Sequence, residues 1–112
     1  TADEQFITIC VECVQQHLAD TEFDLEAFSS AMNISKSSLY KKLHALTSLS
    51  PSSFIRNIRM KYASELLRKN PKVRIADVAY AVGFNDPKYF SSCFKKEFGM
   101  LPSDYVKDEL EK

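Results

Sequence analysis

SSLYKKLHALTSLSPSSF (residues 37–54) and KYFSSCFKKEFGMLPSDY (residues 88–105) are one pattern written twice, 51 residues apart. Leu39 answers Phe90, Leu43 answers Phe94, Ser48 answers Gly99, Pro51 answers Pro102 and Phe54 answers Tyr105. The repeat continues upstream at an offset of 50, where Leu25, Phe28, Met32 and Ile34 precede Ile75, Val78, Val82 and Phe84. One extra turn residue in the second copy accounts for the change of offset. Each copy therefore predicts a short helix, a polar turn of about four residues, and a longer helix with a polar, basic outer face. That is the helix-turn-helix arrangement, whose second helix enters the major groove of duplex DNA.

Working outward from the repeat, helical periodicity runs almost end to end and predicts an all-α fold of about seven helices. Phe6, Ile9, Cys10, Cys13, Val14 and His17 with Leu18 follow three- and four-residue spacings, giving a first helix over 3–19. Asp24 caps a helix at 25–32 with Leu25, Phe28 and Met32 inward, and Asn33 ends it. Ser35 opens a helix at 36–47 with an inward stripe of Leu39, Leu43 and Leu46. Ser50-Pro51 opens a long helix over 51–69 that buries Phe54, Ile55, Ile58, Tyr62, Leu66 and Leu67, and Asn70-Pro71 stops it. Ile75, Val78 and Val82 mark a short helix closed by Gly83. Asp86-Pro87 opens the next, with Phe90, Phe94 and Phe98 inward before Gly99, and Pro102 begins a last helix reaching about Glu111. The expected organisation is a first helix-turn-helix subdomain over about 3–50, a linker helix over 51–69 and a second subdomain over about 72–111.

A chain of 112 residues can bury a core without disulfides. Three cysteines, an odd number, argue against a disulfide framework and for a reducing cytoplasm. No apolar run is long enough to cross a membrane, so no membrane contact is expected. The formal net charge of zero conceals segregation: residues 1–34 carry seven acidic and no basic side chains, and residues 35–69 carry eight basic and one acidic. An electrostatic footprint is local, so the balance of the whole chain does not exclude a polyanionic partner.

On the 36–47 helix the face opposite the leucines carries Ser37, Ser38, Tyr40, Lys41 and His44, the first set of candidate base contacts. On the second long helix the set is Lys88, Ser91, Ser92 and Lys95. Lysine reaches guanine acceptors or phosphates, while serine pairs with any base and carries little information. Lys36, Lys42 and Lys96, with Arg56 and Lys61, read as phosphate or surface charges. His44 is weighed evenly as base reader and as solvated residue. Cys10, Cys13 and His17 share a stripe that invites a metal, but three ligands without a fourth are better read as core residues, so neither metal nor cofactor is expected. The phenylalanine stripe has the spacing of a buried face, not of a base-stacking platform. No nucleophile–base set or glycine-rich phosphate loop suggests an enzyme. The rival to DNA binding is a helical protein-interaction module, which salt dependence would separate.

FNDPKYFSSCFKKEFGMLPSDY (residues 84–105), preceded by Ala79 and Val82-Gly83, resembles the second helix-turn-helix signature of the AraC/XylS family of bacterial transcription regulators. Residues 37–54 resemble the family's first unit, and the likeness covers about residues 22–107. It implies two helix-turn-helix subdomains joined by the 51–69 helix, recognition helices in successive major grooves, and Arg59 holding the linker helix against a neighbour. Carried over by position, the groove-facing sites fall on Ser37, Tyr40, Lys41 and His44, then on Pro87, Lys88, Ser91 and Ser92. Several of these positions bear Arg, Gln or Trp in well-known members and Ser or Pro here, which shifts weight toward shape and phosphate contacts. SLYKKLHALT with SPSSFI further resembles the regulators that end hybrid two-component sensors of gut Bacteroidetes. That likeness implies a longer, inner-membrane-anchored parent carrying a histidine kinase. Its implied partners are a receiver domain and RNA polymerase, with dimerisation in the full-length protein.

Overall fold

The computed structural model describes all 112 residues as seven helices without a strand. They are α1 (Ala2–Gln16), α2 (Leu25–Met32), α3 (Lys36–Thr47), α4 (Pro51–Lys69), α5 (Ile75–Ala81), α6 (Pro87–Phe98) and α7 (Pro102–Leu110). Local chemistry sets most of the boundaries. Asp24 accepts from the Ala27 N–H at 2.9 Å, Ser35 from the Ser38 N–H at 3.1 Å, Ser50 from the Ser53 N–H at 3.2 Å and Asp86 from the Lys88 N–H at 3.0 Å. Each such cap satisfies a backbone donor that the first turn leaves orphaned and stabilises its helix by about 1 kcal/mol.

The terminations repeat as the sequence does. Backbone φ is positive at four residues: Asn33 (59°), Ser48 (64°), Gly83 (94°) and Gly99 (81°). Asn33 and Gly83 are the 50-offset pair, Ser48 and Gly99 the 51-offset pair. The same left-handed turn thus recurs at equivalent places in both copies, with glycine in the second and Asn or Ser in the first.

The chain divides into two compact units, Thr1–Ile58 and Arg59–Lys112, so the division falls inside α4. The first unit closes over Cys10, Cys13, Val14, Phe23, Phe28, Leu39, Leu43, Phe54, Ile55 and Ile58. Its aromatic rings run from His17 on Phe23 (centroids 4.5 Å apart) to Phe28 and on to Phe54. The second unit buries Met60, Ala63, Leu67, Val78, Ala79, Val82, Phe84, Phe90 and Phe94. There Phe94 sits among the rings of Phe90, Phe98 and Tyr105 at 4.5–5.9 Å.

Four expectations are corrected. The first helix ends at Gln16, not residue 19, because the His17 ring turns back: its Nδ1 donates to the Cys13 carbonyl at 2.8 Å and its face stacks on Phe23. Ile9 is exposed (53%), because the buried side of α1 is the narrower stripe of Cys10, Cys13 and Val14. Leu46 and Leu66 are also exposed rather than inward, since Leu39 with Leu43 and Ala63 with Leu67 already fill the cores beside them. Conversely Phe23, Met60 and Ala63 are core residues that the periodicity did not mark.

Candidate nucleic-acid interface

Burial of Leu39 and Leu43 fixes the roll of α3 and leaves Lys36, Ser37, Ser38, Tyr40, Lys41, Lys42 and His44 exposed. On α6, burial of Phe90 and Phe94 leaves Lys88, Ser92, Lys95 and Lys96 exposed and Pro87 and Ser91 half-buried. The repeat makes the faces equivalent position by position: Ser37 with Lys88, Tyr40 with Ser91, Lys41 with Ser92 and His44 with Lys95. These spacings of three and four lie one above another on a helix, so each set is a continuous strip of side chains.

Within the strips, some groups are committed and others free. The Tyr40 and His44 rings lie nearly parallel, 8° apart, with centroids at 6.2 Å, in a stacked arrangement on the exposed face of α3. The Ser38 hydroxyl accepts from the Ser35 hydroxyl at 2.9 Å, and the Ser92 hydroxyl donates to the Lys88 carbonyl at 3.2 Å, so both are tied to their own helix. The Lys42 ammonium lies over the Phe6 ring of α1, 4.8 Å from its centroid, and so has a partner within the first unit. Lys36, Lys41, Lys88, Lys95 and Lys96 have no carboxylate within ion-pair distance; the ion pairs at the chain ends join the Thr1 amino group to Glu4 and Lys112 to Glu109. Unneutralised cations on an exposed helix face are what a polyanion can use.

Tyr89 was not among the sequence-derived candidates, yet it is half exposed (52%) beside Lys88 with its ring 5.8 Å from Phe84. Its place next to Phe90 in the sequence gave no signal of that exposure. Arg59 is nearly buried, and its guanidinium carbon lies 5.9 Å from the Phe84 ring centroid. This stacking pins the second half of α4 onto the turn between α5 and α6.

Cys10 and Cys13 are buried and all three cysteines are free thiols. Burial, with Cys13 beside it, pushes the Cys10 thiol up to about 11, and burial also raises Cys13. A thiol held protonated is a poor metal ligand. No group of three or more His, Cys, Asp or Glu side chains is gathered where it could hold a metal ion. No helix is long and apolar enough to cross a membrane.

A family profile described as a helix-turn-helix domain matches residues 28–108. The chain is 42% identical over 103 residues to histidine kinase P4 of Formosa agariphila; the match takes in 92% of the chain but only 7% of that protein. Among solved structures, the C-terminal domain of AraT, a response regulator from Geobacillus stearothermophilus, superposes with a TM-score of 0.83 at 27% identity, over 91% of this chain and 84% of that one. A DNA-binding transcriptional dual regulator from Escherichia coli K-12 does so with a TM-score of 0.83 at 26% identity, over 92% and 90%.

Proposed function

Since the chain belongs to the helix-turn-helix domain family, of the AraC type, and is thereby a DNA-binding domain of transcription regulation, we propose that α3 and α6 are its groove-reading helices. Ser37, Tyr40, Lys41 and His44 would face the bases from α3, and Pro87, Lys88, Ser91, Ser92 and Lys95 from α6. The observation that carries this reading is the equivalence of the two strips: each stands opposite a buried pair, Leu39 with Leu43 or Phe90 with Phe94, and each bears lysine that no carboxylate neutralises, Lys41 on α3 and Lys88 with Lys95 on α6. A groove about 12 Å wide admits one helix, and long cations beside small hydroxyls suit its edges. Lys36 and Lys96, outside the strips, are assigned to phosphates, while Lys42 is committed to Phe6.

We further propose that the domain is the output end of a two-component signalling protein working in the cytoplasm, with a receiver domain as partner. The 42% identity to a histidine kinase of which it spans 7%, and the likeness to a response regulator's C-terminal domain, support this.

Selection of bound sequences from a random duplex pool tests the groove assignment. A motif with two boxes is expected, with Lys41→Ala relaxing one and Lys88→Ala the other, each costing about 1–3 kcal/mol on the selected sequence. Unchanged affinity and unchanged box preference in both variants would sink it.

A further inference from the structure

The division of the chain into units redistributes its charge. The first unit, Thr1–Ile58, holds four basic and seven acidic side chains; the second, Arg59–Lys112, holds eleven and eight. The unit containing the lysine-dense α3 is therefore net negative by three, and its neighbour net positive by three. Four of the second unit's cations fall within seven residues, Arg68-Lys69-Asn70-Pro71-Lys72-Val73-Arg74.

This segment is an ordered strap. The Asn70 N–H donates to the Leu66 carbonyl at 2.9 Å, finishing α4, and the Val73 N–H donates to the Asn70 carbonyl at 3.0 Å, closing a tight turn with Pro71 in its second position. The Val78 N–H then donates to the Arg74 carbonyl at 3.2 Å and starts α5. Pro71 and Val73 are half-buried while Lys72 and Arg74 are exposed, so the alternation turns the apolar residues in and the cations out; Arg68 and Lys69 are exposed as well. None of the four is ion-paired. The acidic residues nearest in sequence, Glu65 and Asp77, approach none of them within salt-bridge distance.

The fold explains only half of this charge. Arg68 and Lys69 suit the negative C-terminal end of α4. Lys72 does nothing for either helix, and Arg74 stands at the N-cap of α5, where a positive charge opposes the helix dipole and makes no capping hydrogen bond.

We propose that residues 68–74 form the clamp by which the second unit holds the phosphate backbone of duplex DNA, independent of base sequence. The proposal rests on the DNA-binding reading above and deepens it. Of the two helices of a helix-turn-helix, the first crosses the backbone while the second enters the groove. α5 is the first helix of the second copy, and the strap leads into it. The strap is held at both ends before any ligand arrives, so closing on phosphates orders little additional chain. The second unit is thus the general anchor. The first unit, net negative, settles only where α3 finds bases that compensate.

The test uses the whole chain with Arg68→Ala, Lys69→Ala, Lys72→Ala and Arg74→Ala combined, titrated across a salt series against a selected duplex and a random duplex of equal length. The slope of log affinity on log salt is expected to fall by about 3–4, at about 0.9 for each phosphate no longer neutralised. Both duplexes should weaken by the same factor, with their ratio kept. The pair Lys72→Ala with Arg74→Ala, which spares α4, is expected to lower the slope by about 2, and Lys107→Ala to leave it unchanged. An unchanged slope in the folded pair variant, or a weakening confined to the selected duplex, overturns the clamp. Retained duplex binding alongside abolished binding to an acidic peptide would assign the strap to a protein partner and overturn it too. A parent chain without any salt-dependent duplex affinity overturns the DNA-binding reading itself.

Discussion

The Lys42 ammonium sits over the Phe6 ring, 4.8 Å from its centroid, and joins α3, the proposed groove-reading helix, to the acidic α1. A cation over an exposed aromatic face contributes about 0.5–1 kcal/mol. A double-mutant cycle of Lys42→Ala and Phe6→Leu, followed by denaturant unfolding, should return a coupling of that size. Duplex affinity and its salt slope should barely change in Lys42→Ala. A slope lowered by about one unit would mean that Lys42 contacts a phosphate after all.

Ser48 and Gly99 occupy the same left-handed position at the ends of α3 and α6, and nothing lies within 4 Å of where a Cβ on Gly99 would stand. The difference between them is therefore one of backbone preference. Gly99→Ala should destabilise by about 1–2 kcal/mol, the cost of an L-residue in that region. Ser48→Gly should stabilise by about 0.5–1 kcal/mol. Equal unfolding midpoints for parent and both variants would contradict the assignment.

Phe94 is fully buried among three aromatic rings. Phe94→Ala should destabilise the second unit by about 3–5 kcal/mol, as large-to-small changes in a packed core do. Near-ultraviolet circular dichroism should lose its tyrosine and phenylalanine bands before the far-ultraviolet helical signal collapses. A thermal midpoint equal to the parent's would refute this packing.

The raised Cys10 thiol gives the stability a pH dependence of defined sign. Its folded pKa, about 11, lies above the ordinary 9.0, so its contribution is complete below pH 9 and is lost as pH rises toward 11. Alkylation mapped by mass spectrometry should modify the half-buried Cys93 first and leave Cys10 protected until that alkaline window. Equal labelling of Cys10 and Cys93 at neutral pH would rule this out.

What could be read in the sequence was local chemistry. Asp24, Ser35 and Ser50-Pro51 announce helix starts within one turn of themselves, so α2, α3 and α4 have the expected spans. The 51-residue repeat likewise placed the two outward strips. What escaped depended on contacts that helical periodicity does not report. Met60 and Ala63 were missed because α4 was given one apolar stripe, whereas it serves the core of each unit with a different half. Phe23 stood outside every periodic run and is buried because His17 folds back to stack on it. The commitments of Lys42 and Ser38 also needed coordinates, since composition cannot tell a free cation or hydroxyl from an occupied one.

Both glycines of the chain close turns in the second unit, while the first makes the same turns with Asn33 and Ser48. The consequence is kinetic. A turn held against its intrinsic preference reopens more often, so the amides that end α2 and α3 should exchange with solvent hydrogen sooner than those ending α5 and α6. Of two copies of one architecture, the first should open the more readily, and the aromatic strip of Tyr40 and His44 lies on it.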